Sequence, residues 1–199
     1  MLVLLVFVAG GGVAFFLIRN DTASKADTPL SVPSSVEPAS IQFKLKQVTP
    51  TTIGPPGKID QPMQQAAQGV ESALAQFYDQ AFLTKKNWQK ADYAPAWASI
   101  VPESRAAAVK DENLLTLGKG APGTFSQVAF DGGDVSVQVL LDQNSQPKSA
   151  IAAVHFSATA KEQNGSTMAV RSVGRYFLRP EGDRWVIFGY QVRRKDKQK

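Results

Sequence analysis

Residues 149–179 read SAIAAVHFSATAKEQNGSTMAVRSVGRYFLR, two long stretches of alternating apolar and polar residues joined at Asn164-Gly165. Alternation with period two marks a half-buried β-strand, and Asn-Gly between two such stretches signals a tight hairpin. The same pattern extends in both directions. Arg184 to Arg194 follows Glu181-Gly182-Asp183, while Thr124 to Phe130 and Val135 to Leu141 flank Asp131-Gly132-Gly133-Asp134. The second half of the chain thus reads as five strands in consecutive hairpins, a strongly bent antiparallel sheet.

Helix signals lie upstream of these strands. Asp60 stands at a capping position, Pro62 falls in the first turn, and apolar residues from Met63 through Val70, Leu74, Phe77 and Phe82 recur at three- and four-residue spacing. Lys85 and Lys86 follow at the C-terminal end, where cations suit the helix dipole. A second helix is expected over Asn87 to Ile100 with Trp88, Tyr93 and Trp97. A third opens at Pro102-Glu103, runs through Val109 and Leu114, and stops at Gly118 and Gly120. Helices first and strands afterwards define an α+β domain over residues 59–194, with three helices covering one face of the sheet.

The N-terminus has a different character. Leu2 to Ile18, LVLLVFVAGGGVAFFLI, is an uncharged run of 17 residues. As a helix it would span about 25 Å, just enough to cross a bilayer. A cleaved signal peptide is the alternative, but no basic residue precedes the run and its small-residue site, Ser24-Lys25-Ala26, lies well past Ile18. Residues 1–19 are therefore read as a single-pass transmembrane anchor in the cell membrane. The domain is placed outside the cytoplasm, because a short N-terminus followed at once by an anchor is how bitopic envelope proteins are usually built. Gly10 and Ala14, four apart, would allow close helix approach and a homo-oligomer. Residues 20–58, with Pro29, Pro33, Pro38, Pro50, Pro55 and Pro56, read as an extended spacer. Within it Ile41, Phe43 and Leu45 alternate with polar residues over 41–46, a strand pattern that docks on the domain edge or on a partner.

Composition removes several chemistries. The chain has no Cys and one His, which excludes disulfides, thiol catalysis and thiolate or His-rich metal sites, so neither a metal nor a cofactor is expected. The net charge of +5 is concentrated in the last seven residues, where Arg193, Arg194, Lys195, Lys197 and Lys199 stand against Asp196. A basic tail over 195–199 beside a near-neutral domain fits a frayed, solvated terminus, or weak attraction to anionic lipid or polymer, better than a nucleic-acid groove.

Candidate site residues follow from register. A two-residue turn at Asn164-Gly165 sets His155 opposite Gly174 and Ala153 opposite Tyr176; a two-residue loop at Glu181-Gly182 sets Tyr176 opposite Ile187 and Gly174 opposite Gly189. One face then shows His155, Tyr176, Trp185 and Ile187, with Gly174 and Gly189 either bending the sheet or leaving room for a ligand. The other face shows Arg171, Arg175 and Arg179, which together with Ile41, Phe43 and Leu45 are the candidate partner surface.

The Gln64-to-Phe82 helix, the Trp88…Tyr93…Trp97 helix and the closing hairpin Gly174-Arg175-Tyr176-Phe177-Leu178-Arg179-Pro180…Trp185-Val186-Ile187-Phe188-Gly189-Tyr190 resemble the nuclear transport factor 2-like fold. In that fold a long helix and two shorter ones pack into a curved antiparallel sheet shaped as a cone. With an anchor in front, the layout is similar to the Mce-associated proteins of actinobacteria and to assembly components of type IV secretion and conjugation machines. That resemblance implies a non-catalytic interaction or assembly module of a bacterial cell-envelope complex, with other envelope proteins as partners. Enzymatic members of the fold, isomerases and polyketide cyclases, use an Asp or His base with a Tyr or acid donor opposite. The corresponding alternative here is a small-molecule-binding or cyclase-like protein with His155 as base and Tyr176 as donor, although no Asp or Glu falls on the same strand face to orient the His.

Overall fold

The apolar positions that recur after Asp60 wind into one helix in the computed structural model, which describes residues 5–9, 12–16, 41–52 and 59–199. Helix α1 (Asp60–Tyr78) buries Met63, Ala67, Val70, Leu74 and Phe77 along one side. It continues as a π-helical turn over Asp79–Leu83, closed by the Thr84 N–H donating to the Asp79 carbonyl at 2.8 Å. The Thr84 hydroxyl also donates to the Asp79 carboxylate at 3.0 Å and ties down this wider turn. The expected second helix is two pieces, α2 (Lys85–Lys90) and α3 (Ala94–Trp97), separated where Ala91 takes a left-handed φ of 50°. The third likewise divides at Asp111 into α4 (Pro102–Lys110) and α5 (Glu112–Leu115). Only Ala108 of α4 is buried, and Val109 is 49% exposed. A last turn, α6 (Ala121–Thr124), leads into the sheet.

The sheet has five strands, but not the five expected. Strand β4 (Phe125–Leu141) runs straight through Asp131-Gly132-Gly133-Asp134, which is a bulge between Phe130 and Gly132 and not a hairpin turn. Gly133 has a packing role there: a Cβ on it would lie 2.7 Å from Cε1 of Phe43, so the bare backbone leaves space for that ring. Strands β5 (Pro147–Glu162), β6 (Thr167–Glu181) and β7 (Arg184–Gln198) follow in antiparallel order. The fifth strand comes from the expected spacer. Strand β3 (Lys44–Thr52) pairs parallel with β4 at the sheet edge, where Pro50 is tolerated, giving the order β3-β4-β5-β6-β7. The sheet is therefore mixed, and the folded domain begins near residue 41 instead of 59. Ile41 and Phe43 are buried in the core, and the Phe43 N–H donates to Oε1 of Glu71 at 2.8 Å.

Hairpin geometry decides which side chains meet. Lys161 pairs with Thr167, the Glu162 N–H donates to the Ser166 carbonyl at 2.8 Å, and Gly165 takes a φ of 91°. The loop is Gln163-Asn164-Gly165, three residues with glycine at the left-handed position. One residue more than a two-residue turn moves every pair by one, so the expected faces of β5 are exchanged. His155 sits opposite Val173, Val154 opposite Gly174 and Ala152 opposite Tyr176. In the next hairpin Glu181 pairs with Arg184 across Gly182-Asp183, and a bulge between Phe177 and Leu178 sets Tyr176 opposite Tyr190 and Gly174 opposite Val192.

Aromatic rings fill the space between helices and sheet. Tyr78 lies 4.7 Å from Phe156, 5.5 Å from Phe82, 5.4 Å from Phe43 and 5.9 Å from Tyr176, centroid to centroid. The Tyr176 hydroxyl donates to the Tyr78 oxygen at 3.0 Å, and Tyr78 shares a second 3.0 Å bond with the Ser172 hydroxyl. A buried polar chain of this kind is satisfied internally at both tyrosines. Burial pushes the Tyr78 phenol up to about 12 and raises the Tyr176 phenol well above its ordinary value, so both remain neutral hydrogen-bonding groups.

Residues Met1–Val36 form a separate unit from Glu37–Lys199. In it β1 (Leu5–Ala9) and β2 (Gly12–Phe16) form an antiparallel pair with Ala9 opposite Gly12. Strands stand where a transmembrane helix was expected. Val and Phe, which recur in both segments, favour strands. No helix among the described residues is long and apolar enough to cross a membrane. Residues 20–40 and 53–58 of the expected spacer lie outside the described residues.

Candidate partner-binding face

Alternation along β5, β6 and β7 gives the sheet two unlike sides. One side presents Ala152, Val154, Phe156, Val170, Tyr176 and Leu178 to the helices, and these are buried. The other presents cross-strand rows that no described helix covers: His155–Val173–Arg193, Ala153–Arg175–Gln191 and Ser157–Arg171–Lys195. A fourth row, Thr159–Ala169–Lys197, continues the same side.

The exchange of faces separates the residues expected to form a pocket. Tyr176 and Ile187 are in the core, and Trp185 is half-buried against α1, where a Cβ on Gly69 would meet its Cδ1 at 2.6 Å. His155 is on the opposite side of the sheet, exposed, with Nδ1 2.9 Å from Oδ1 of Asp134. His155 and Tyr176 therefore do not face one space as base and donor. Gly174 and Gly189 do not face each other: a Cβ at Gly174 would meet the Gln191 carbonyl at 2.6 Å, whereas Gly189 lies opposite Phe177, where a Cβ would be 3.4 Å from Cδ2 of that ring. Gly174 is the seat of a close β6–β7 approach.

Asp134 does orient His155, contrary to the expectation that no acid shares its face. It was hidden because Asp131-Gly132-Gly133-Asp134 reads as a turn, whereas the continuous β4 pairs Asp134 directly with His155. The same carboxylate binds Nζ of Lys46 on β3 at 2.9 Å, and the Lys46 bond first, then the His155 bond, holds the Asp134 carboxyl below its usual range.

Of the three expected arginines, Arg171 and Arg175 are exposed on the open side without an ion pair among the described residues, while Arg179 is bound by Glu181 at 2.8 Å and Glu103 at 3.4 Å. The sequence reading missed Arg193, Lys195 and Lys197. They looked like a frayed tail, but β7 pairs with β6 out to Gln198, so these cations belong to the sheet. Their alternation with Val192, Arg194 and Asp196 was the signal that could have found them. Arg171, Arg175, Arg193, Lys195 and Lys197 account for five of the 22 Lys and Arg, leaving 17 to balance the 17 Asp and Glu. The entire formal charge excess thus equals this one patch.

Two shallow depressions cross the patch, of about 500 Å³ beside His155, Arg175, Gln191 and Arg193, and about 570 Å³ beside Arg171, Arg193, Lys195 and Lys197. Val173 contributes to both and is 47% exposed. Ile151 and Phe188 add exposed apolar surface, with Phe177 and Phe188 in ring contact at 6.2 Å. Arg171 lies directly opposite Lys195, an arrangement that costs stability unless an anion intervenes. Apolar area ringed by unpaired cations is the chemistry of a surface that meets an acidic partner. Leu45, the third member of the expected docking pattern, is half-buried on β3, so that segment serves the core more than a partner. No group of His, Asp and Glu suited to a metal ion occurs among the described residues. No family model matches the chain, and neither a curated protein nor a solved structure matches it.

Proposed function

We propose that the protein is a membrane-anchored, extracytoplasmic, non-catalytic interaction module of a bacterial cell-envelope complex, of the transport, secretion or conjugation kind, working through the open side of its sheet. The observation that carries the reading is the patch of five cations without an ion pair among the described residues, around exposed Val173, set on the far side of a sheet whose helix-facing side is packed with aromatic rings. The long α1 and shorter helices against a five-stranded sheet support a nuclear transport factor 2-like reading of the domain, with the parallel β3 as a departure from the expected pattern. The Leu2 to Ile18 run supports the anchor. In hydrocarbon an isolated two-stranded pair would leave its outer N–H and C=O groups without partners, so on entering a bilayer this run becomes a helix.

The test is purification of the intact protein from membranes in mild detergent, comparing wild type with Arg171→Glu combined with Arg175→Glu. Wild type is expected to resist carbonate extraction and to bring down envelope proteins that the double variant loses. The melting temperature of the variant should be nearly unchanged, because exposed charges contribute little to folding. A protein that leaves the membrane in carbonate contradicts the anchor. One that purifies alone and turns over a hydrophobic carbonyl compound contradicts the module.

A further inference from the structure

Strand β7 ends the sheet, and among the described residues its outer edge is covered over Ile187 and Phe188, where the Ser104 hydroxyl donates to the Phe188 carbonyl at 2.8 Å. The Val101 N–H donates to the Ile187 carbonyl and the Ile187 N–H to the Ser99 carbonyl, each at 2.9 Å. Beyond the bulge at Phe188 no strand among the described residues lies outside β7, which continues to Gln198. On the inner edge the Lys199 N–H donates to the Thr167 carbonyl at 2.9 Å. Successive residues of an antiparallel strand turn their peptide groups alternately inward and outward, so those of Val192, Arg194 and Asp196 point away from the sheet. The free stretch from Tyr190 to Gln198 is about 30 Å long at about 3.3 Å per residue.

The side chains along this edge sort by chemistry. Arg193, Lys195 and Lys197 stand on the open side, exposed and without ion pairs among the described residues. Tyr190 and Val192 stand half-buried on the helix side. Arg194, also on the helix side, is occupied by the Asn113 and Thr116 carbonyls and by Asp196. We propose that this edge receives an extended segment of a protein partner by backbone pairing. The segment carries acidic residues at alternate positions beside Arg193, Lys195 and Lys197, and apolar residues where it passes Tyr190 and Val192 at one end of the free edge.

Charge complementarity selects this occupant. A second copy offering the same edge would set Arg193, Lys195 and Lys197 against like charges, so the cations that keep the edge from pairing with itself also select an acidic strand. A bilayer surface supplies phosphates but no peptide groups for the outward-pointing N–H and C=O row. A polypeptide supplies both, at the side-chain spacing of about 6.7 Å that alternate strand residues share. Arg171 and Arg175, one strand further in, strengthen the same field.

The inference rests on the partner reading above and names the partner's chemistry. The full chain in dodecyl maltoside is titrated into a fluorescein-labelled Glu-Val repeat of about eight residues, matched to the free edge, and binding is read by anisotropy. Saturable binding is expected, about tenfold or more tighter than to a block isomer with all glutamates at one end. N-methylation of alternate amides, which removes pairing donors but no charge, should weaken it by a similar factor. Arg193→Glu combined with Lys195→Glu should shift the preference to a Lys-Val repeat. Equal binding of the block isomer or of the N-methylated repeat overturns edge pairing. Displacement by phosphatidylglycerol added to the micelles assigns the patch to lipid instead, and absence of binding overturns the acidic strand. If the peptides fail while co-purification still depends on Arg171 and Arg175, the interaction module stands and only the edge falls; loss of both removes the module as well.

Discussion

Tyr78→Ala is expected to lower the stability of the Glu37–Lys199 unit by about 3–5 kcal/mol, the range for removing a large buried aromatic side chain. The ring is fully buried and touches Phe43, Phe77, Phe82, Phe156 and Tyr176, so no single neighbour can close the cavity. Its loss also strands the Ser172 and Tyr176 hydroxyls, both buried. Tyr78→Phe separates the two contributions: the ring stays, the hydroxyl goes, and a cost of about 1–3 kcal/mol remains for the unsatisfied groups. Equilibrium denaturation of the three proteins orders them wild type, Phe, Ala. A Tyr78→Ala protein as stable as wild type would mean that the space between helices and sheet is not the packed core described.

The second large effect lies at Gly174. A side chain there would start 2.6 Å from the Gln191 carbonyl and 2.8 Å from Cα of Val192, both backbone atoms of β7, which cannot turn aside as a flexible side chain would. Gly174→Val must open the β6–β7 seam and is expected to cost about 3 kcal/mol or more, at the upper end of overpacking effects. Gly189→Ala is the control: its nearest neighbour is Cδ2 of Phe177 at 3.4 Å, and stability should stay within about 1 kcal/mol of wild type. Because Gly174 lies in the middle of the patch region, its loss should weaken partner binding by deforming the strands that carry Arg171, Arg175 and Arg193. Equal stability of the Gly174 and Gly189 variants would show that the β6–β7 approach is not close.

Both residues show how far local pattern can be read. Period 3.6 after Asp60 and period two after Gly123 were sufficient for α1 and for strands β5 to β7, because each rests on burial of one face by nearby residues. Which face was not legible. Asn164-Gly165 is compatible with a two-residue or a three-residue loop, and the choice moves His155 from beside Tyr176 to the opposite side of the sheet. Parallel pairing of β3 with β4 was equally hidden, since it depends on contact between Phe43 and Gly133, ninety residues apart by number. Gly132-Gly133 spells a turn locally and becomes a bulge because Phe43 needs the space. The open-side cations were divided in the sequence between a strand and an apparent tail; only the pairing of Lys195 with Arg171 makes them one surface.

The proposal that this surface, and not the space between helices and sheet, meets the partner is tested most directly by photo-crosslinking in intact membranes. A benzoylphenylalanine in place of Val173, at the centre of the patch, should give a discrete adduct with another protein, and the same probe at the equally exposed Val109 on α4 should not. Arg171→Glu with Arg175→Glu, added to the Val173 probe, should abolish the adduct. An adduct that survives the reversal, or one formed at Val109 and not at Val173, would contradict the account.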